Sequence, residues 1–336
     1  MKGKQVIQGW GKILAGRRPF LSIEITRECP LRCPGCYAYG ETHLGSGSLT
    51  LRQLADFKGD ELVQRVLAVV DDRKPLHLSI VGGDPLVRHR ELDQMLPELV
   101  RRGIHVQVVT SAFRRIPLAW ADLPRLNVTV SVDGLPAEHD VRRKPATYER
   151  IVANLAGHTG MFSIHCTITS QLVRPNYLRD FIEFWEPRPE VKRVWFSVYT
   201  PQVGEISEER LSQEQRRQVT EELLALRTEY RKLDMIPAAI KGLMNPPRSP
   251  LECTFARSTE TISADLKTYI TPCQFGGTPD CTECGCVASV GLQALADHRL
   301  GGLVRLGSIF NTSFRIGGAM DHHRQRRKHG TGDSET

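Results

Sequence analysis

The sequence predicts an α/β fold, in which a partial (β/α)6 TIM-like barrel is followed by a small cysteine-rich β-hairpin/helix domain. Short apolar runs rich in β-branched residues alternate with helical patterns from residue 21 to about 200, which is typical of βαβ units and a parallel sheet. Each apolar run ends in polar residues or glycines, and five of the nine cysteines fall within 253–286. Six βα units are too few for a complete eight-stranded barrel, so we expect an open one.

The period of the apolar residues assigns each element in turn. Predicted strands cover residues 20–26, 76–81, 105–110, 127–132, 161–169 and 193–199. Predicted helices cover residues 51–70, 90–102, 148–157, 176–185 and 205–233. Residues 6–14 carry sparse apolar side chains, compatible with a short amphipathic helix that packs on the barrel, covers its mouth or lies on a membrane surface. Cys166 lies inside the fifth strand and is interpreted as a buried apolar residue.

Breaks in composition divide the 336 residues into five segments. These are an N-terminal segment (1–20), the barrel (21–204), a helical linker (205–250), the cysteine-rich domain (251–318) and a basic tail disordered by composition (319–336). Apolar residues make up 40% of the chain and charged residues 25%, which is ordinary for a globular protein.

The net charge of +7 could favour nucleic acid or anionic lipid, but much of the excess lies in the polar tail at 322–329. A solvated tail explains it, and we do not expect a nucleic-acid partner. The sequence has no secretory h-region and no transmembrane run of roughly 18 apolar residues. Clustered cysteines without a signal favour metal binding in a reducing cytoplasm over disulfides.

Cys29, Cys33 and Cys36 form a C-x3-C-x2-C triplet directly after the first predicted strand. Three thiolates from one loop can hold a cubane iron–sulfur cluster and leave one iron open to a ligand. The triplet is also compatible with a structural zinc site, although zinc ribbons usually pair two C-x2-C knuckles.

Polar or glycine-rich segments follow the next strands as well. Those at the second, third and fourth strand ends are Gly82, Gly83, Asp84, Thr110, Ser131 and Asp133. The carboxyl ends of parallel strands share one face, where α/β barrels place their chemistry, so these residues should converge above one mouth.

A second cysteine group comprises Cys253, Cys273, Cys281, Cys284 and Cys286. Residues 260–272 alternate and turn at 264–267, which predicts a β-hairpin between the first two cysteines. Four thiolates suit either zinc or an iron–sulfur cluster.

The ordered motifs resemble the radical S-adenosylmethionine (SAM) superfamily over about residues 21–290. This resemblance implies a [4Fe-4S] cluster on Cys29, Cys33 and Cys36, with SAM chelating the open iron. In that family an electron from the cluster cleaves SAM to methionine and a 5′-deoxyadenosyl radical, which abstracts a hydrogen atom from the substrate.

The family's Gly-Gly-Glu-Pro loop holds the SAM amino group through its backbone, and residues 82–85 match it with Asp84 in place of glutamate. Thr110, at the third strand end, is expected at the same cofactor. Many members carry an aromatic residue before the third cysteine, where this chain has Gly35. Tyr37, or alternatively Tyr39, is therefore expected beside the adenine.

The segment from Ser131 through Asp133 to Arg142 resembles the Ser-Ile-Asp-Gly…His-Asp…Arg pattern of SPASM/twitch-type members. The resemblance implies that Ser131 and Asp133 accept hydrogen bonds from the ribose and that Arg142 meets the SAM carboxylate. His139 is compatible with either a ligand or a structural role.

The second cysteine group resembles a twitch auxiliary domain. By that match Cys253, Cys273, Cys281 and Cys284 ligate one auxiliary [4Fe-4S] cluster, while Cys286 replaces Cys284 or stays free. A cluster with four protein ligands would serve electron transfer, whereas an open iron would bind substrate.

The resemblance leaves the substrate open between a small molecule and a peptide, and implies an external reductant such as flavodoxin or ferredoxin. Tyr199 and Gln202 are candidates for substrate contact, and the sequence identifies no catalytic acid or base. Two other classes remain compatible with the residues: a zinc-stabilised nucleic-acid-binding protein and an iron–sulfur electron carrier without SAM chemistry.

Overall fold

The computed structural model describes residues 3–40, 42–45, 49–145 and 148–329, and its main sheet has seven parallel strands. The strands are β1 (Phe20–Glu24), β2 (His77–Val81), β3 (His105–Thr110), β4 (Leu126–Ser131), β5 (Phe162–Ile168), β6 (Val191–Val198) and β7 (Thr259–Ile262). Their order across the sheet is β6-β5-β4-β3-β2-β1-β7. The first six strands thus lie in chain order, as a partial barrel requires. A small antiparallel ribbon pairs β8 (Arg299–Leu300) with β9 (Val304–Arg305).

Helices connect the strands and continue beyond the sixth. They are α1 (Gly3–Leu14), α2 (Gly59–Arg73), α3 (His89–Arg101), α4 (Pro136–Arg142), α5 (Tyr148–Leu155), α6 (Tyr177–Trp185), α7 (Gln213–Glu229), α8 (Pro237–Gly242), α9 (Thr254–Ser258), α10 (Val287–Asp297) and α11 (Leu306–His329). Helix α2 begins later than the predicted residue 51, because only Leu51–Gln53 form a 3-10 turn and Lys58 is extended.

Alternation along the strands separates an apolar face from a polar face. On β1, Leu21 and Ile23 belong to the core shared with the helices, whereas Ser22 and Glu24 occupy alternate positions. The polar set on the seven strands includes Ser22, Glu24, Ser79, Gln107, Asn127, Thr129, Ser131, Ser163, His165, Thr167, Arg193, Ser197 and Thr261. Because the apolar face is covered by helices, the polar face lines the hollow of the open barrel and suits a polar ligand.

Strand β7 was not expected in this sheet. Residues 260–272 do turn back as a hairpin, since Ile262 bridges Tyr269 and the Ser263 amide donates to the Thr268 carbonyl over 2.8 Å. The first arm of that hairpin, however, pairs in parallel with β1, from Phe20 opposite Thr259 to Ile23 opposite Ile262. The barrel sheet therefore gains a seventh strand from the cysteine-rich part of the chain.

The segment predicted as a linker, 205–250, packs on the barrel. Ser212 caps α7 with its hydroxyl on the Gln215 amide (3.1 Å), and the apolar side chains Val219, Leu223 and Leu226 join the main core. Beyond α7, Leu233 forms a parallel bridge to Val194 of β6.

Helix α1 packs against α11 at the base of the barrel, so it is not a lid. The Trp10 indole donates to the Ser313 hydroxyl over 2.7 Å, and Ile13 is buried. Helix α11 continues to His329, through part of the segment 319–336 that was predicted as a disordered tail; residues 330–336 lie outside the described residues. Within the described chain, no helix is long and apolar enough to cross a membrane.

Candidate functional site

The cysteine loop (residues 26–36) follows β1 at the carboxyl edge of the sheet. Its three thiols are all partly exposed. Hydrogen bonds fix the loop from three sides: Tyr39 donates to the Arg27 carbonyl (2.5 Å), Arg32 to the Lys144 carbonyl (2.6 Å) and Leu31 to the Cys29 sulfur (3.4 Å). The loop is therefore held by the protein itself, with its sulfur atoms accessible.

Burial decides the protonation of these thiols. It raises the pKa of Cys29 to about 12, and it raises the pKa of Cys33 against the opposing charge of Arg143. Thiols in this setting stay protonated unless a metal displaces the proton.

The donor set of the cysteine loop consists of three thiols. A cubane binds each thiolate through a different iron, so three thiolates leave its fourth iron open. The three cysteines are therefore compatible with an iron–sulfur cluster. In the described ranges, no three Cys, His, Asp or Glu side chains are grouped closely enough to hold a single metal ion.

The glycine loop (residues 82–85) docks directly on the cysteine loop. The Gly83 amide donates to the Thr26 carbonyl (2.8 Å) and the Asp84 amide donates to the Glu28 carbonyl (2.9 Å). A Cβ atom on Gly82 would lie 2.5 Å from the Thr26 oxygen, and one on Gly83 would overlap the Glu28 carbonyl. The close approach is thus to the cysteine loop. The Gly83 and Asp84 amides are used in this contact. The carbonyl oxygens of the glycine loop are then the groups that can accept a hydrogen bond from an amine.

Asp84 and Thr110 are bound to each other. The buried Asp84 carboxylate accepts hydrogen bonds from the Thr110 hydroxyl (2.6 Å), from the Ser111 amide (2.8 Å) and hydroxyl (2.6 Å), and from the Leu86 amide (3.0 Å). These bonds oppose burial, which raises the pKa of Asp84. Both side chains hold the glycine loop to the end of β3, so a contact of either with a cofactor would need a change in this network.

Asp133 is also engaged by the protein. Its carboxylate pairs with Arg142 and with Arg143 (2.7 Å), and accepts a hydrogen bond from the Thr167 amide (3.0 Å). Burial would raise the pKa of Asp133, but the two arginines outweigh burial and hold the pKa well below its ordinary value. Arg142 is further paired with Glu209 through two nitrogens (2.6 and 3.0 Å).

Arg143 is the residue that sequence analysis missed. Its Nε pairs with Asp133, its two terminal nitrogens form no hydrogen bond within the described chain, and its charge acts on Cys33. Arg143, rather than its neighbour Arg142, is therefore free to bind an anion beside the cysteine loop. The sequence shows an adjacent pair of arginines. It does not show which of the two is more fully paired with other protein groups.

Ser131 and His139 have different surroundings. Ser131, at the end of β4, is buried and has no side-chain hydrogen bond in the part of the chain described. His139 is fully buried in α4, accepts a hydrogen bond from the Asp133 amide at Nδ1 (3.1 Å), and has a pKa lowered to about 4 by burial. His139 is thus structural, whereas Ser131 keeps an available hydroxyl.

Tyr37 joins the two cysteine groups. Its ring lies 5.4 Å, edge to face, from Phe275, two residues after Cys273, and 5.7 Å from His43. Buried His43 bonds the Phe275 carbonyl (3.1 Å) and the Glu24 carboxylate (2.8 Å), and Glu24 accepts a hydrogen bond from Ser263 (2.6 Å). Glu24, a lone acid within an apolar strand, was the sequence signal for this link.

All five cysteines of the second group line one small cavity, which is partly open to solvent. Burial raises the pKa of Cys273 to about 12 and that of Cys281 to about 11. Gln274 donates to the Cys286 sulfur (3.4 Å), and Cys253 contacts the Ser289 hydroxyl (3.2 Å). The cavity therefore offers thiols in surplus of the four that one cubane needs.

Residues 278–286 attach this cavity to the chain beyond β6. Val198 donates to the Gly285 carbonyl (3.0 Å), Asp280 to the Pro201 carbonyl (2.8 Å) and Thr278 to the Gln202 side chain (2.7 Å). Tyr199 donates to Glu205 (2.5 Å). Tyr199 and Gln202, the candidates for substrate contact, therefore both have protein partners in this attachment.

The chain is similar to known proteins in family and in fold. Residues 23–198 match the family model of the radical SAM superfamily. Streptococcus suis SuiB bound to S-adenosylmethionine is 14% identical with a TM-score of 0.52, over 78% of this chain and 60% of that chain. SuiB bound to its precursor peptide SuiA is 15% identical with a TM-score of 0.55, over 94% and 70%. Native anSMEcpe with bound AdoMet is 15% identical with a TM-score of 0.55, over 90% and 97%. This chain thus spans about 60% of SuiB in the first comparison.

Proposed function

Because this chain belongs to the radical SAM superfamily, we propose that it cleaves S-adenosylmethionine reductively and abstracts a hydrogen atom from a substrate. The proposed cluster ligands are Cys29, Cys33 and Cys36. The observation that carries the proposal is the docking of their loop on the glycine loop, with Arg143 beside Cys33. When bound, a [4Fe-4S] cluster on these three cysteines would supply an electron and an open iron for the reductive cleavage of SAM.

The chain's own residues would bind and orient SAM. The glycine-loop carbonyls are suited to its amino group, because the Gly83 and Asp84 amides already donate to the cysteine loop. Arg143 is suited to the carboxylate through its terminal nitrogens, with Asp133 fixing the guanidinium at Nε. The Ser131 hydroxyl is available for the ribose, and the partly exposed Tyr37 ring for the adenine. Asp84 and Thr110 would act indirectly, by holding the glycine loop.

We further propose that four of the five thiols in the cysteine cavity hold one auxiliary [4Fe-4S] cluster that serves electron transfer. The shared cavity supports this, because all five thiols line it. Tyr37 and Phe275 lie in contact between the two cysteine groups, which would shorten the path between them. An external reductant of the flavodoxin or ferredoxin type would supply the first electron.

A peptide is the substrate class we favour over a small molecule. SuiB, which shares the fold, has been crystallised with a precursor peptide. The polar hollow of the barrel would accept peptide backbone groups, which need hydrogen-bond partners when they leave water.

Anaerobic reconstitution tests the proposal. We expect about eight irons per chain, corresponding to two cubanes, and 5′-deoxyadenosine after SAM and dithionite are added. Cys33→Ala should abolish 5′-deoxyadenosine formation, while Cys166→Ala, which removes a buried thiol of β5, should not. Cys273→Ala should keep SAM cleavage and lose conversion of the substrate.

Bound zinc without iron, or iron without SAM cleavage, would contradict the proposed reaction. Normal conversion of the substrate by Cys273→Ala would contradict only the auxiliary cluster.

A further inference from the structure

A buried arginine near the cysteine cavity forms no ion pair within the described residues. Arg216, in α7, is 2% exposed. Its Nη1 donates to the Leu243 carbonyl (3.1 Å), and its Nη2 donates to the carbonyls of Tyr199 (3.4 Å) and Glu283. Its Nε has no hydrogen-bond partner within the described residues. Three segments of the chain thus direct their carbonyl oxygens at one guanidinium.

The acids nearby are committed elsewhere. The Glu283 carboxylate pairs with Arg210 at the surface, where the Arg210 side chain is 42% exposed. The Asp280 carboxylate accepts from the Thr282 amide (3.1 Å) and hydroxyl (2.5 Å). Neither forms an ion pair with Arg216 in the described chain. A buried cation without a counter-charge is strongly unfavourable, so the site is built for an anion.

The cysteine cavity is where that anion belongs. Arg216 donates to the carbonyl of Glu283, the residue immediately before Cys284. The charges of Glu283, Cys284 and Asp280 all act on the guanidinium, but the two carboxylates already have other partners. A cubane held by four thiolates is an anion, because the thiolate charges exceed that of the iron–sulfur core.

We propose that Arg216 is the counter-charge of the auxiliary cluster and raises its reduction potential, an inference that rests on the proposed cluster. Reduction adds one electron to the cluster while the donor loses one. A fixed buried cation stabilises the more negative state. Because three carbonyls hold the guanidinium, its distance from the cavity is set by the fold. The auxiliary cluster would thereby be poised to accept electrons.

The test is a redox titration of the auxiliary cluster alone. In a chain carrying Cys29→Ala, Cys33→Ala and Cys36→Ala, we expect about four irons and a single paramagnetic signal on reduction. Arg216→Met should weaken one-electron reduction at least tenfold, a fall in midpoint potential of about 59 mV or more. Arg216→Lys should stay near the parent value because it keeps the charge. The matched control is Arg210→Gln, which removes the positive charge that pairs with the Glu283 carboxylate at the surface. This variant should leave the midpoint potential unchanged.

Each outcome has a distinct meaning. Equal potentials for Arg216→Met and the parent, at full iron content, would overturn the inference, as would an equal fall for Arg216→Lys. If Arg216→Met loses iron and Arg216→Lys retains it, the charge is required and the inference stands. If both variants lose iron, the hydrogen bonds from the guanidinium to the three carbonyls are required and its charge is not, which contradicts the inference. Absence of iron from the parent would instead reject the auxiliary cluster itself.

Discussion

Replacing Gly83 by alanine should separate the glycine loop from the cysteine loop. The new Cβ would overlap the Glu28 carbonyl oxygen and lie 2.8 Å from the Tyr39 hydroxyl. Relieving that overlap would break the bonds from the Gly83 and Asp84 amides to the cysteine loop, each worth about 1 kcal/mol. Overpacking adds about 1–3 kcal/mol, for a total loss of about 3–5 kcal/mol. Total stability is typically about 5–15 kcal/mol, so the effect is large.

Denaturant unfolding under anaerobic, reducing conditions measures this loss, and iron content after reconstitution measures the damage to the cluster site. The matched control is Gly291→Ala in α10, where a Cβ meets no atom within 4 Å. Removing a helical glycine there should leave stability unchanged or raise it by up to about 1 kcal/mol. If Gly83→Ala unfolds at the same denaturant concentration as the parent and binds the same iron, the docking of the two loops is not what stabilises this site.

Two further predictions concern the Asp133 network. Asp133→Asn keeps the acceptor for the Thr167 amide but leaves Arg143 without a carboxylate partner, while Arg142 keeps Glu209, so urea unfolding should show a loss of about 3 kcal/mol. Asp234→Asn, at an exposed pair with Arg193, should change stability by less than about 1 kcal/mol, and equal losses would contradict the argument. The pKa of His139 is lowered to about 4 by burial, from an ordinary value of 6.5, so its contribution is complete above pH 6.5 and is lost as pH falls towards 4. By pH 5 the free energy of unfolding should have fallen by about 2 kcal/mol. His139→Asn, whose side chain can still accept a hydrogen bond from the Asp133 amide, should flatten this pH dependence. An unchanged slope in the variant would show that His139 does not titrate as described.

The strands were predictable because their signal is local. Strand β3 was expected at 105–110 and forms at His105–Thr110, and the ends of the other five expected strands fall within two residues of the expected bounds. Strand β7 could not be assigned to the barrel in the same way. Its partner, β1, lies more than 230 residues earlier, and alternation does not reveal which sheet a strand joins.

The site was predictable in residue type but not in the direction of each side chain. The cysteine and glycine loops do meet at the ends of β1 and β2. Asp84 and Asp133, however, bond to protein groups that come from the next strand ends, and Arg142 bonds to Glu209, which is 67 residues away. Arg216 gave no sequence signal, because its significance depends on burial and on the commitment of the surrounding acids.

The cysteine-rich part of the chain also protects the sheet from other molecules. Strand β7 covers the open side of β1, while residues 232–234 and Gly285 pair with part of the open side of β6. A chain ending before residue 259 would expose the backbone of β1 as an unpaired edge, and much of the β6 edge with it. Bare edges of this kind template pairing between chains and lead to aggregation. Protection of the sheet edges therefore depends on chain segments beyond the barrel, and the cysteine-rich region contributes to it before any metal binds.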